Sequence, residues 1–252
     1  MSTTEQSWGG PLSPLSSATV RLFCVPYAGG GAAVFRHWPA LLPPTVAMSA
    51  IRLPGRESRI SEPPLADIGQ MVAAVAADLA ATAATGQPYA LFGHSFGALV
   101  AFELAREMRA RELPAPRRLF VSAHRAPDAD VGTPPIRDLS DRDFLDKVIR
   151  YGGMPQEVLD SPDLLAMVLP ALRADIDAAE GYRFVAGAPL DCPISVFGGR
   201  SDSVTPQAQL YGWRSHSVAE VEVRLFDGGH FFLHDNRTAV ATAVGAALEV
   251  SP

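Results

Sequence analysis

The run Tyr89-Ala90-Leu91-Phe92-Gly93-His94-Ser95-Phe96-Gly97 decides how the rest of the chain is read. An apolar, β-prone stretch leads into the pentapeptide G-x-S-x-G. Beyond it, Leu99, Phe102 and Leu104 carry a buried helix on to Met108. A strand that passes into a helix through this pentapeptide makes a sharp, strained turn, which stands its serine clear of the backbone. Small neighbours are needed because the turn leaves little room. The pentapeptide alone is only moderately specific; the strand before it and the helix after it supply the context it requires.

The same alternation extends outward. Upstream, Arg21-Leu-Phe-Cys-Val-Pro26 reads as a strand ending in the turn Tyr27-Ala28-Gly29-Gly30-Gly31, with a helix following through Phe35 and Trp38. A second strand, Val46 to Leu53, stops at Pro54-Gly55. Ile68, Met71, Val72, Val75 and Leu79 recur at helical spacing and predict an amphipathic helix over 67–85. Downstream, Arg118–Ser122, Ile194–Phe197 and Val221–Phe226 read as strands, and Ala239–Val250 as a closing helix. Strands alternating with helices predict an α/β fold, a mostly parallel central sheet with helices on both faces.

The alternation lapses once, from about Pro127 to Asp191. Here Ser140–Tyr151 and Ser161–Tyr182 read as helices, the first capped by Ser140 and the second with Pro170 inside it. A helical insertion of this length is expected to be a lid over one edge of the sheet, made mobile by Pro134, Pro135, Gly152, Gly153 and Pro170. Residues 1–19, rich in Ser, Thr, Pro and Gly, are expected to be a flexible leader. One domain, 20–252, remains.

Composition removes several classes of function. With 48% hydrophobic and 19% charged residues among 252, the chain is an ordinary globular one. A net charge of −6 argues against nucleic acid as a partner. No apolar run reaches the ~18 residues of a membrane span; the longest, Val72 to Thr85, is broken by Asp78. The first twenty residues hold no Lys or Arg, so no secretory signal is expected. Two cysteines, Cys24 and Cys192, are too few for a disulfide scaffold, and reduced thiols in a cytoplasmic protein are the simpler expectation. All but one of the 21 basic residues are Arg, suited to phosphate and carboxylate.

A serine hydroxyl needs a base. Of six histidines, His230 in Asp227-Gly-Gly-His-Phe-Phe232 follows the last strand, where the hydrolase order Ser…Asp…His expects one. His234 is the weaker alternative. The acid should end a strand between the two, and Ser195-Val-Phe-Gly-Gly-Arg-Ser-Asp202 supplies Asp202 in that place. Asp128 and Asp130 after the fourth strand compete with it; Asp191 stands at the wrong end of its strand. Acyl transfer also requires two donors for the oxyanion. Phe96 N–H, just after the nucleophile, is one. The other belongs on the Gly-rich loop after the first strand, where Ala28 N–H is the candidate. That loop lacks the Lys-Ser/Thr and acidic partners of nucleotide-binding glycine motifs.

With these residues in view, the chain resembles the type II (external, editing) thioesterases of polyketide and nonribosomal peptide synthases, in the α/β-hydrolase superfamily. The likeness runs from Arg21 onward. It is carried by Phe23–Gly31, Leu53-Pro-Gly-Arg-Glu57, Gly93–Gly97, Tyr151-Gly-Gly-Met-Pro155, Leu172-Arg-Ala-Asp175 and Asp227–Phe232. The resemblance implies a triad of Ser95, Asp202 and His230, with Ala28 and Phe96 at the oxyanion hole. It implies hydrolysis of stalled or aberrant acyl groups from acyl or peptidyl carrier proteins, which bring their own phosphopantetheine. No cofactor, metal, nucleic acid or membrane is expected, and the chain is expected to act as a monomer. The alternatives are a carboxylesterase or lipase on free esters, and a non-catalytic module with a broken triad. Two further expectations concern the carrier. Tyr151–Pro155 and Leu53–Arg56 should border the channel for its arm, with Arg56 meeting a phosphate or carboxylate. The run Arg106, Arg109, Arg111, Arg117, Arg118 is either a docking face or, more simply, a solvated one.

Overall fold

The computed structural model describes residues 9–12, 18–130, 132 and 134–250. Its strands are β1 (Gly9–Pro11), β2 (Val20–Val25), β3 (Val46–Ile51), β4 (Tyr89–His94), β5 (Leu119–Ser122), β6 (Ile194–Gly199) and β7 (Val221–Phe226). Its helices are α1 (Ile68–Ala84), α2 (Phe96–Ala110), α3 (Asp141–Arg150), α4 (Gln156–Leu159), α5 (Pro162–Gly181), α6 (Gln207–Leu210), α7 (Phe232–Asp235) and α8 (Arg237–Val250). One sheet runs β1-β3-β2-β4-β5-β6-β7. From β3 to β7 all pairings are parallel, and β1 closes the edge antiparallel to β3.

Parallel strands buried on both faces need apolar residues at nearly every position. In β2, Phe23 and Val25 face one layer while Leu22 and Cys24 face the other. β4 repeats the division, with Tyr89 and Leu91 opposed to Ala90 and Phe92. The first layer is closed by α1 and α2, the second by Phe35, Trp38 and α8. α1 starts where expected because Asp67 accepts the Gln70 N–H (2.8 Å) as its N-cap. The insertion carries α3, α4 and α5 and has a small core of its own, Ile136, Phe144, Val148 and Leu172. Arg173 joins its helices: it lies over the Phe144 ring (4.1 Å) and donates to Asp141 and to the carbonyls of Arg137 and Leu139.

Two expectations need correction. Within the expected leader, Gly9–Pro11 form β1, and Leu12 N–H donates to Met48 O (2.8 Å). So short a strand, of Gly and Pro, carries no β signal of its own; residues 1–8 and 13–17 lie outside the described residues. The helix expected through Phe35 and Trp38 is one 3-10 turn, Ala32–Phe35, with Pro39 close behind. Most of the arginine run is engaged within the chain. Arg106 and Arg109 bond the carbonyls of Val185, Ala188 and Pro189, Arg111 pairs with Glu107, and Arg118 is buried against Ser195. Among the described residues no helix is long and apolar enough to cross a membrane.

Candidate active site

Ser95 sits between β4 and α2 with φ 53° and ψ −122°. A non-glycine residue pays for that conformation in strain, which the surroundings must enforce. Ser95 N–H donates to Ser122 O (2.7 Å), and Ser95 O accepts from Ala98 (2.8 Å). The flanking glycines are steric necessities. A Cβ on Gly93 would stand 2.0 Å from Gly97 O, and one on Gly97 2.3 Å from Val25 O.

The loops after β6 and β7 are laced together. Arg200 N–H donates to Phe226 O (2.8 Å) and Ser201 N–H to Gly228 O (2.9 Å). Gly199 allows this closeness, since a Cβ there would meet Gly229 O at 2.4 Å. Asp202 and His230 thereby face each other. Asp202 Oδ2 accepts from His230 Nδ1 at 2.9 Å, while Oδ1 accepts from the N–H groups of Val204 (2.8 Å) and Thr205 (2.9 Å). His230 Nε2 lies 2.8 Å from Ser95 Oγ. With Nδ1–H held by the carboxylate, Nε2 is the acceptor for the serine proton.

His94 supports this arrangement, a role the sequence did not disclose. Its Nε2 lies 3.0 Å from His230 O, which can only accept, so Nε2 carries the proton. Nδ1 then accepts from Ser122 Oγ at 2.8 Å. Burial, then the nearby His230, keep the His94 pKa well below the ordinary histidine value. A neutral imidazole thus ties the end of β4 to the His230 loop.

The loop after β2 turns at Tyr27, whose carbonyl accepts from Gly30 N–H (2.9 Å). It is held from two sides. Tyr27 Oη, with a pKa pushed up to about 12 by burial, donates to His234 Nε2 at 3.1 Å. On the other side Asp175 of α5, fully buried, accepts Gly29 N–H at 2.7 Å. Arg56 completes the contact, reaching both Asp175 oxygens (2.6 and 2.8 Å) and Gly30 O (3.1 Å). Arg56 is therefore spent inside the protein and unavailable to a phosphate, and Leu53 is in the core; this corrects the expectation that Leu53–Arg56 border a channel. Both partners lie in segments that carried the resemblance, but nothing in the linear sequence joins them across 119 residues.

A cavity of about 190 Å³ opens over Ser95 and His230. Ala28 and Phe96 line its floor, and Ile136, Val148, Tyr151 and Leu172 of the insertion roof it. As the first residue of α2, Phe96 has no acceptor for its N–H inside the helix. The competing candidates lie elsewhere: His234 holds Tyr27, Asp128 bonds His216 (2.9 Å), Asp130 caps Gly132 N–H, and Asp191 is exposed before β6. Among the described residues no three His, Cys, Asp or Glu side chains are placed to share a metal ion.

A parallel sheet with a strained serine at the end of its central strand, served by a histidine and an aspartate from later strand ends, defines an α/β-hydrolase fold. Residues 20–248 match the thioesterase domain model. The chain is 37% identical over 222 residues to the gramicidin S biosynthesis protein GrsT of Aneurinibacillus migulanus, covering 88% of this chain and 86% of that one. It is 37% identical over 228 residues to thioesterase PikA5 of Streptomyces venezuelae, covering 90% and 80%. Among solved structures, the type II thioesterase BorB of the borrelidin cluster superposes with a TM-score of 0.88 at 33% identity, covering 98% of this chain and 100% of that one. The chain belongs to the thioesterase family, and it is a thioester hydrolase.

Proposed function

We propose that this thioesterase releases stalled or aberrant acyl groups from the phosphopantetheine arm of acyl or peptidyl carrier proteins in a polyketide or nonribosomal peptide pathway. The observation that carries the proposal is the unbroken relay Ser95 Oγ–His230–Asp202 beneath an apolar cavity. The likeness to a gramicidin S biosynthesis protein and to the type II thioesterase of the borrelidin cluster supports the choice of carrier.

Ser95 Oγ attacks the thioester carbonyl as His230 Nε2 takes its proton. Asp202 keeps the other ring nitrogen protonated and stabilises the imidazolium. The N–H groups of Ala28 and Phe96 receive the oxyanion, where preformed donors contribute most. Collapse breaks the C–S bond, and His230 returns its proton to the departing pantetheine thiolate. Water then attacks the acyl-Ser95 ester, again deprotonated by His230. The carboxylic acid leaves and Ser95 regains its proton. The chemistry asks for neither metal nor cofactor. Residues 127–191 act as the lid, excluding water while the ester lives. The protein works as a cytoplasmic monomer that meets its carriers transiently.

The test compares one acyl group on a carrier protein and on N-acetylcysteamine. The carrier substrate should have the higher kcat/KM, and added salt should erode the advantage as screening shortens to a Debye length of ~8 Å at physiological ionic strength. Equal efficiency on both at every salt concentration would leave a general thioesterase; preference for a simple oxygen ester would indicate the esterase alternative.

A further inference from the structure

With Arg56 committed to Asp175, other cations must be sought for the far end of the carrier's arm. Beside the Ser95 cavity lies a second cleft of about 310 Å³, which shares Tyr27, Ala28, Gly153 and Leu172 with it. Arg36, His37, His234 and Arg237 line the cleft, and no carboxylate among the described residues does. In a chain of net charge −6 that is a local gathering of basic side chains, with the Glu57 carboxylate behind the lining, where it accepts Ala33 N–H (2.9 Å).

The charge resides on the two arginines. His234 accepts from Tyr27 Oη, and burial followed by the nearby Arg237 lowers its pKa, so it is neutral. Neither Arg36 nor Arg237 has a carboxylate partner among the described residues. Arg36 is exposed, and the one side-chain bond it makes to another described residue is from Nε to His37 Nε2 (3.0 Å). Arg237 is the first residue of α8, where the helix dipole disfavours a cation. Its charge is thus not there for helix stability. The arginines share this lining with Gly29 and Gly30 and with apolar Met154, Val158 and Val168. Such a lining suits a thin, partly aliphatic chain.

We propose that this cleft seats the phosphopantetheine arm, with Arg36 and Arg237 receiving its phosphate and the chain passing Gly29–Gly30 to present the thioester at Ser95. The proposal rests on the carrier reading above and locates its recognition. Guanidinium forks match a phosphate, and a charge-assisted contact at a fixed distance from the sulfur selects pantetheine carriers over other thioesters.

The probes are an acyl-4′-phosphopantetheine and the corresponding acyl-pantetheine, which differ only in the phosphate. Wild type should favour the former in kcat/KM by on the order of tenfold, chiefly through KM. Arg36→Ala/Arg237→Ala should bring the ratio to about 1, and Arg36→Ala alone should lower it part of the way. A ratio near 1 in wild type, or one that survives in the double variant, overturns the proposal. Calorimetry on Ser95→Ala provides a readout without turnover. There, 4′-phosphopantetheine should bind more tightly than both pantetheine and inorganic phosphate; equal binding of inorganic phosphate would reduce the cleft to a bare anion site and overturn the arm. If no thioester is hydrolysed, the catalytic reading fails while the calorimetry still decides the cleft.

Discussion

At the scale of single residues, the site depends on which nitrogen of each histidine carries a proton. Asp202 sets this for His230, and the His230 carbonyl sets it for His94. Asp202→Asn keeps the shape but presents an amide N–H or a weaker acceptor to Nδ1. The wrong tautomer is favoured, and kcat should fall by about 10⁴ with melting temperature little changed. Steady-state kinetics beside thermal denaturation checks this. A nearly silent Asp202→Asn with a severe Asp128→Asn would move the acid to the end of β5. Ser95, His230 and Asp202 were legible because each stands at a strand end in the order that hydrolase geometry requires. His94 was not legible as a support. Neighbours in a tight turn point apart, which holds for His94 and Ser95, yet the His94 ring reaches the His230 backbone instead.

At the scale of elements, the contact between α5 and the loop after β2 couples the insertion to catalysis. Asp175 grips Gly29, the residue after the proposed oxyanion donor Ala28, so seating α5 and shaping that loop are one event. Asp175→Ala would leave the Arg56 guanidinium buried without its carboxylate. Breaking a buried pair in this way costs about 3–5 kcal/mol, and the melting temperature should drop by roughly 10 °C. kcat should fall more than KM rises, because the loop's donor acts on the transition state. Arg56→Met/Asp175→Leu should recover much of the stability but not kcat, since no acceptor for Gly29 N–H returns. Unchanged stability and unchanged kcat in Asp175→Ala would contradict this coupling. α1, α2, α3 and α5 were readable from period and caps, such as Ser140 accepting Asp143 N–H and Ser161 accepting Leu164 N–H. β1 was not: three residues of Gly and Pro become a strand only because β3 offers an open edge. The turn at Ala32–Phe35 fell short of a helix because burial of Phe35 and Trp38 against Phe92, together with Pro39, governs that segment.

At the scale of the whole molecule, the sheet brings Ser95, Asp202 and His230 together from the ends of β4, β6 and β7, although 135 residues separate Ser95 from His230. The alternation of strands and helices made the parallel sheet legible, and with it the end of the sheet at which the site lies. What the linear pattern does not encode is pairing between the insertion and the sheet, which is why Arg56 was assigned outward when it in fact faces Asp175. The central claim is that an acyl group passes from a carrier's thiol to Ser95 and then to water. Its most direct test is intact-mass measurement of the protein within the first turnovers on an acyl carrier protein, followed by peptide mapping. The account predicts a transient adduct of the acyl mass on the peptide bearing Ser95, decaying to free acid, and absent from Ser95→Ala. Acid release from Ser95→Ala at the wild-type rate, or an adduct on any other residue, would contradict it.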